Sequence, residues 1–206
     1  MANLFPMFVK LTGKRVLVVG AGQVGEAKIA GLFDTGAKIH VVALTATEIV
    51  QDWAQSGQII FEQRAFAVSD LEEAFAVIVA ARSREVGEFV FLEAQARGVL
   101  CNVVDVPELC DFFYPAVVRR GDLQIAISTS GQSPSLAQKI RQQLEGQFGP
   151  GYADWVARLG ETRREILRST LDPERKRFLL QSLADREALQ SELTYVTDAK
   201  ANGEAA

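Results

Sequence analysis

The sequence predicts an α/β fold: a parallel sheet with a dinucleotide-binding βα turn, then a small strand-containing region and a helical C-terminal domain. Three observations carry this. The apolar run Arg15-Val16-Leu17-Val18-Val19 leads directly into Gly20-Ala21-Gly22-Gln23-Val24-Gly25, and a helical pattern follows from Val24 to Phe33. Strand and helix signals then alternate between residues 15 and 104, which implies parallel strands with helices on both faces. After Pro107 the texture changes, and from Tyr152 onward the chain is helical and rich in Arg and Glu.

Strands are expected near 15–19, 38–42, 59–61, 76–80 and 99–104, with helices near 23–35, 47–55, 70–74 and 86–97. The short apolar runs suit strands buried on both faces. Gly36 and Gly98 stand where C-terminal glycines close helices. Beyond the turn Arg120-Gly121-Asp122, the segment Leu123–Ser128 reads as a single strand whose edge needs a partner, in this chain or in a second copy. Ser133-Pro134-Ser135 opens a helix to about Leu144, with either serine as N-cap. Gly146, Gly149, Pro150 and Gly151 punctuate a linker. The helical region after it runs to Leu189, breaks near Asp172-Pro173, and ends in a dozen residues that fray.

The chain has 206 residues, 48% hydrophobic and 23% charged, and a net charge of -4. That composition reads as soluble and globular. No apolar stretch approaches a membrane span, and the first residues lack the basic and apolar regions of a signal peptide, so the cytoplasm is the default. Two cysteines, Cys101 and Cys110, form no disulfide framework, and a single histidine, His40, leaves no zinc set and no triad. The acidic balance and the absence of a recognised motif speak against nucleic acid.

In the glycine loop each glycine has its own task. Gly20 makes the tight turn, Gly22 leaves room for pyrophosphate, and Gly25 packs helix on strand, while the helix start stabilises the phosphates. Gln23 and Val24 belong to the same cradle. The acidic residue that usually holds the ribose about 20 positions on is missing. His40-Val41-Val42-Ala43-Leu44-Thr45 stands there instead, leaving backbone groups near Ala43 or the Thr45 hydroxyl for that work and favouring NAD over NADP modestly. Ala81 and Arg82, after the fourth strand, complete the expected cofactor set with Asn102. The Asn102 amide can orient a ligand or make a buried structural hydrogen bond.

Asp105 emerges where the fifth strand ends, on the side where open α/β sheets bind ligands. It can act as a base when hydride leaves to nicotinamide, or cap the following turn. The run Ser128-Thr129-Ser130-Gly131-Gln132-Ser133 joins a strand to a helix start and makes an anion receptor, flanked in sequence by Arg119, Arg120, Lys139 and Arg141. It suits a substrate bearing carboxylates or phosphates. Phe112-Phe113-Tyr114-Pro115 either lines a flat pocket or packs at the domain junction.

On these residues the chain resembles the precorrin-2 dehydrogenase family, the N-terminal module of siroheme synthases. The matching pieces include Phe5-Pro6-Met7-Phe8, Gly13–Gly22, Cys101-Asn102-Val103-Val104-Asp105, Pro107-Glu108-Leu109-Cys110, Phe113-Tyr114-Pro115-Ala116, Arg120-Gly121-Asp122-Leu123 and Gly131-Gln132-Ser133-Pro134-Ser135-Leu136-Ala137. They cover residues 4 to about 145 in family order. The resemblance implies NAD-dependent oxidation of precorrin-2 to sirohydrochlorin by a homodimer. It implies a Rossmann domain over 1–112, a dimerisation and substrate-binding region over 113–149 and a helical domain over 150–206. Asp105 falls on the family's essential aspartate, which bifunctional members also use for metal chelation. Arg120, Ser128, Thr129, Ser130, Gly131 and Ser133 fall in the substrate-receiving region, and Thr129 lies where some members carry a phosphorylatable serine. The chain departs from the family at Ala80-Ala81-Arg82-Ser83, where members commonly have Thr-Asp-Asp, and after Gly25, where Ala27-Lys28 replaces Arg-Lys. An alternative is an enzyme that also inserts Fe²⁺; a dinucleotide sensor without turnover is a remote third.

Overall fold

A computed structural model describes residues 4–183, which divide into two compact units between Tyr114 and Pro115. In the first unit the elements run β1 (Arg15–Ala21), α1 (Gln23–Ala30), β2 (Lys38–Ala46), α2 (Glu48–Gln55), β3 (Ile60–Glu62), β4 (Ala74–Val79), α3 (Arg84–Arg97) and β5 (Leu100–Val103). All strands pair in parallel, in the order β3-β2-β1-β4-β5. Chain order reverses between β1 and β4, and ligands bind outside the carboxyl ends of the strands at such a switch point.

Alternate residues of each strand serve opposite faces. Leu17, Val19, Val77, Val79, Cys101 and Val103 pack with Val90 and Ala94 of α3. Val16, Val18, Ile39, Val41 and Ile78 pack with Ile29 of α1 and Val50 of α2. This two-faced burial explains why the strands read as continuous apolar runs. Gly98 closes α3 in the left-handed conformation, φ 66°.

Two expected helices are shorter or different. The first ends at Ala30, and Phe33–Thr35 form a separate 3-10 turn closed by Gly36, because Leu32 and Thr35 N–H groups bond three residues back rather than four. The helix expected over 70–74 is a 3-10 turn at Val68–Leu71. An Arg15 Nη1 donates to the carbonyls of Asp70 and Glu72, each at 2.6 Å, taking acceptors a continuing helix would need. Asp70, 5% exposed, accepts a bidentate pair from Arg64 at 2.6 and 2.8 Å and the Ala67 N–H at 2.8 Å. The Arg64 hydrogen bonds hold its carboxyl below the usual range, overriding burial, which acts the other way. A depressed folded pKa stabilises above the unfolded value of about 4 and loses that contribution as pH falls through the folded one. Asp70→Asn is therefore expected to lower Tm by several degrees at pH 7, with the gap to the parent protein closing in acid; a gap independent of pH would refute the linkage.

The second unit contains β6 (Ala116–Arg120), β7 (Leu123–Ile127), α4 (Pro134–Gln147), α5 (Tyr152–Arg168) and α6 (Pro173–Ser182). The strand expected to stand alone has an internal partner: β6 and β7 form an antiparallel hairpin with Ala116 opposite Ile127 and Arg120 opposite Leu123. Its two-residue loop begins at Gly121, φ 56°, where a primed turn requires a left-handed residue. The break at Asp172-Pro173 is a new helix start, with the Asp172 carboxylate accepting the Arg175 N–H at 2.9 Å. Residues expected to continue this helix to 189 and then fray lie outside the described ones from 184 on.

Candidate functional site

The carboxyl ends of β1, β2 and β4 surround a cavity of about 810 Å³ in the first unit. Its formation begins at Gly20, φ 104°, where a Cβ would sit 2.7 Å from the Ala80 carbonyl oxygen. Only glycine lets the end of β1 approach β4 this closely. The β1–β2 register slips at this point, between Val19 and Ala21, and turns the chain into α1. Gly25 is tighter still: a Cβ there would lie 2.1 Å from the Gly20 oxygen. Gly22 differs, because a Cβ there meets nothing within 4 Å. Space is kept open at Gly22 alone of the three, at the start of α1.

α1 is also the helix of this unit whose N-terminus has no side-chain cap. Thr47 caps α2 and Ser83 caps α3, each accepting an N–H at 3.3 Å, while Gly22 offers α1 no oxygen. The first-turn amides of α1 are thus left for a ligand at the positive end of the helix. An open approach at Gly22 and uncapped amides fit a dinucleotide pyrophosphate. Gly20, Gly22, Gln23 and Val24 line the cavity; Gly25 lies beneath it and sets the helix on the strand.

Ala43, Thr45, Ala81 and Arg82 also line the cavity, as the expected cofactor set requires. Sequence reasoning missed Thr47, Arg64, Phe66 and Phe89, which complete the wall. Phe66 and Phe89 meet edge to face at 6.2 Å. No carboxylate stands in the lining, and its two charged residues, Arg64 and Arg82, are cations. Arg64 is held by Glu62 at 3.0 Å, the Ala65 carbonyl at 3.1 Å and Asp70, so its N–H edge is engaged. Its signal was hidden because it lies in an irregular segment after a three-residue strand.

Asn102 is outside the lining. It is 6% exposed, and its amide donates to the Phe112 carbonyl at 2.7 Å, binding β5 to the segment that folds back along it. The structural alternative for this residue therefore describes the geometry. Phe112 joins the core on the α1 face, Phe113 and Tyr114 are more exposed, and the Lys28 Nζ lies 4.1 Å from the Tyr114 ring centre.

Asp105 lies just beyond β5, which is the strand next to β4. Its φ is 63°, a left-handed conformation for a residue other than glycine. It occupies the third position of a turn closed by Val106 N–H to the Val103 carbonyl at 3.1 Å. Aspartate tolerates this region better than most residues, yet strain of this kind clusters at functional sites. His40 lies apart, in a recess with Lys14, Arg15 and Lys38. Burial, then Arg15, lowers its pKa, so it stays neutral.

In the second unit the hydroxyl loop is ordered by its own side chains. Ser128 Oγ accepts the Ser130 N–H at 3.1 Å, Thr129 Oγ1 accepts the Ser133 N–H at 3.0 Å, and Ser133 Oγ caps α4 through the Leu136 N–H at 3.2 Å. Ser130 and Gly131 both have positive φ, 51° and 79°. Because the hydroxyl oxygens accept backbone bonds, the loop's donors toward an anion are O–H groups more than amides. Arg120, expected in the substrate-receiving region, lies at the far end of the hairpin from this loop, about 14 Å along β7 at roughly 3.4 Å per residue. Its guanidinium donates to the carbonyls of Phe148 at 2.8 Å and Glu145 at 3.3 Å, at the carboxyl end of α4. Unpaired carbonyls and the negative helix end draw a cation there. Among the described residues no group of three or more His, Cys, Asp or Glu can hold a metal ion, and no helix is long and apolar enough to cross a membrane.

Comparison with known proteins places these observations. A family model described as "Putative NAD(P)-binding" matches residues 7–116, and one described as "Sirohaem biosynthesis protein central" matches residues 120–147. Siroheme synthase 1 of Serratia proteamaculans (strain 568) is 37% identical over 177 residues, 85% of this chain and 37% of its own length. A siroheme synthase of Nitrosococcus oceani is 37% identical over 156 residues, 76% of this chain and 32% of its own. The chain thus spans about a third of the length of these relatives. Among solved structures, one titled "SirC, precorrin-2 dehydrogenase" superposes with a TM-score of 0.78 at 29% identity, covering 91% of this chain and 92% of that one.

Proposed function

The chain belongs to the siroheme synthase and precorrin-2 dehydrogenase family, and from that premise we propose that it oxidises precorrin-2 to sirohydrochlorin with NAD. The observation that carries this is Asp105, held in a left-handed turn just beyond β5, the strand next to β4. NAD, when bound, supplies the two-electron acceptor. Gly20, Gly22, Gln23, Val24 and Gly25 form its phosphate cradle; Ala43 and Thr45 serve the ribose, and Ala81 and Arg82 line the wall beside them. Oxidation removes a hydride and a proton from the macrocycle, and the Asp105 carboxylate accepts the proton. The O–H groups of Ser128, Thr129 and Ser133 bind carboxylates of the polyanionic substrate, with Ser130 and Gly131 shaping the loop. We assign 1–112 to cofactor binding and 113–149 to dimerisation and substrate binding, in a cytoplasmic homodimer; from 150 on, the described residues, to 183, are largely helical.

A second reading widens this one. The sirohaem central model over 120–147 and relatives named siroheme synthases support a chain that also inserts Fe²⁺ into sirohydrochlorin. There Asp105 takes protons from the pyrrole nitrogens as the iron substrate enters. This wider reading has the broader support among the relatives; the SirC likeness supports the dehydrogenase step. An anaerobic assay separates them. NADH formation is expected to match loss of precorrin-2, and sirohydrochlorin with Fe²⁺ is expected to metallate faster than without protein. Metallation at the protein-free rate would remove the second activity, and no NADH the first.

A further inference from the structure

The Asp105 turn is held by a side chain from outside it. The Cys110 Sγ lies 3.2 Å from the Val103 carbonyl oxygen and 3.3 Å from that of Val106, the two ends of the turn. Its one S–H proton is shared between these acceptors. The sulfur in turn receives the Asn102 amide at 3.4 Å, and the same amide is fixed by the Phe112 carbonyl. Asn102 and Cys110 also form an antiparallel bridge, and the Asp111 N–H donates to the Cys101 carbonyl at 2.8 Å. The segment after the turn is therefore laid back along β5, with the thiol inserted between the ends of the turn. Burial raises the Cys110 pKa, so the group remains a protonated donor at neutral pH.

A left-handed aspartate persists only where its surroundings over-determine it. Here the chain's own Val106–Val103 bond closes the turn once, and the thiol ties both carbonyls a second time. We propose that Cys110 is a positioning residue whose thiol clasps the Val103–Val106 turn and so fixes the Asp105 carboxylate; this rests on Asp105 as the base. Cys110 is not among the residues lining the cavity, and the role proposed for it involves no redox step. Its effect is confined to how well the carboxylate is aimed, and small misplacements of a reacting group are costly.

The test is a double-mutant cycle. Cys110→Ala is expected to lower kcat about tenfold with the NAD Kd unchanged, and Cys110→Ser, which keeps a donor, to restore at least half the rate. In an Asp105→Asn background Cys110→Ala is expected to change the residual rate no further, since there is no carboxylate left to aim. Full activity of Cys110→Ala, the same fold-loss in both backgrounds, or no rescue by Cys110→Ser would each overturn the clasp. Parental turnover by Asp105→Asn alone would instead overturn the base assignment, and the clasp with it. A slow Asp105→Asn beside a fully active Cys110→Ala removes only the clasp.

Discussion

Asp105→Asn is expected to bind NAD as tightly as the parent protein and to oxidise precorrin-2 about 10³-fold more slowly, the middle of the range for losing a positioned general base. The choice of asparagine follows from the backbone. At φ 63° an alanine would add a conformational cost of about 1 kcal/mol, mixing strain with chemistry. Asparagine accepts the same conformation and is nearly isosteric, but cannot take the proton. Asp105→Gly serves as the companion, since it relieves the strain and also lacks the carboxylate. Both variants are expected to be equally slow, with NADH formation followed anaerobically and NAD binding measured by calorimetry. A near-normal rate in either would remove Asp105 from the chemistry. A slow asparagine variant beside a fast glycine one would show that backbone shape, and not the proton, had been limiting.

The second large effect is expected at the glycine loop, where two neighbouring substitutions have opposite signatures. In Gly25→Ala the new Cβ meets the Gly20 oxygen at 2.1 Å and the Gly20 carbon at 2.9 Å, and both belong to backbone. No rotamer can relieve that contact, so α1 must lift from β1. Overpacking of this kind costs about 3 kcal/mol or more, or about 10 °C in Tm for a chain of this size, and NAD binding is lost with the cradle. In Gly22→Ala the Cβ enters open space, at φ -78°, a conformation that alanine adopts freely. Its Tm is expected to stay within a degree or two while NAD affinity falls at least tenfold, because the methyl group occupies the approach to the phosphates. Thermal melts and NAD titrations of the pair check this. Undiminished NAD affinity in Gly22→Ala would dissociate the glycine loop from phosphate binding.

Much of the first unit was legible because its signals are local and repeated. The β-branched runs, the glycine loop and the helix-closing Gly98 each act through neighbours in sequence. Asp105 could be located for the same reason, at the end of an apolar run. What escaped depends on contacts distant in sequence. Arg15 takes the carbonyls of Asp70 and Glu72, more than fifty residues away, and turns an expected helix into a 3-10 turn. The partner of β7 is a local exception with a weak signal: Val117 and Val118 are β-branched, but the strand is five residues long and ends in two arginines. Arg120 adjoins the loop region in sequence, but hairpin geometry carries it to the other end. Arg64 reaches the cavity wall only because β3 lies beside β2. Asn102 and Cys110 have no motif of their own; their bonds exist because the chain folds back on β5.

The adjacency of β4 and β5 has a further consequence. Ala81 and Arg82, just past β4, belong to the wall of the dinucleotide cavity, and Asp105 follows the next strand over. On the proposed chemistry, the cavity wall that would hold the electron-accepting cofactor and the residue that receives the proton are anchored to adjacent strands of one sheet. The backbone bases of those two elements are spaced by interstrand hydrogen bonding, about 4.8 Å, while the aim of the Asp105 carboxylate is left to the turn that carries it. The sheet works as a ruler for the backbone: sequence drift on the helices can retune stability or affinity while the two strand ends keep their offset.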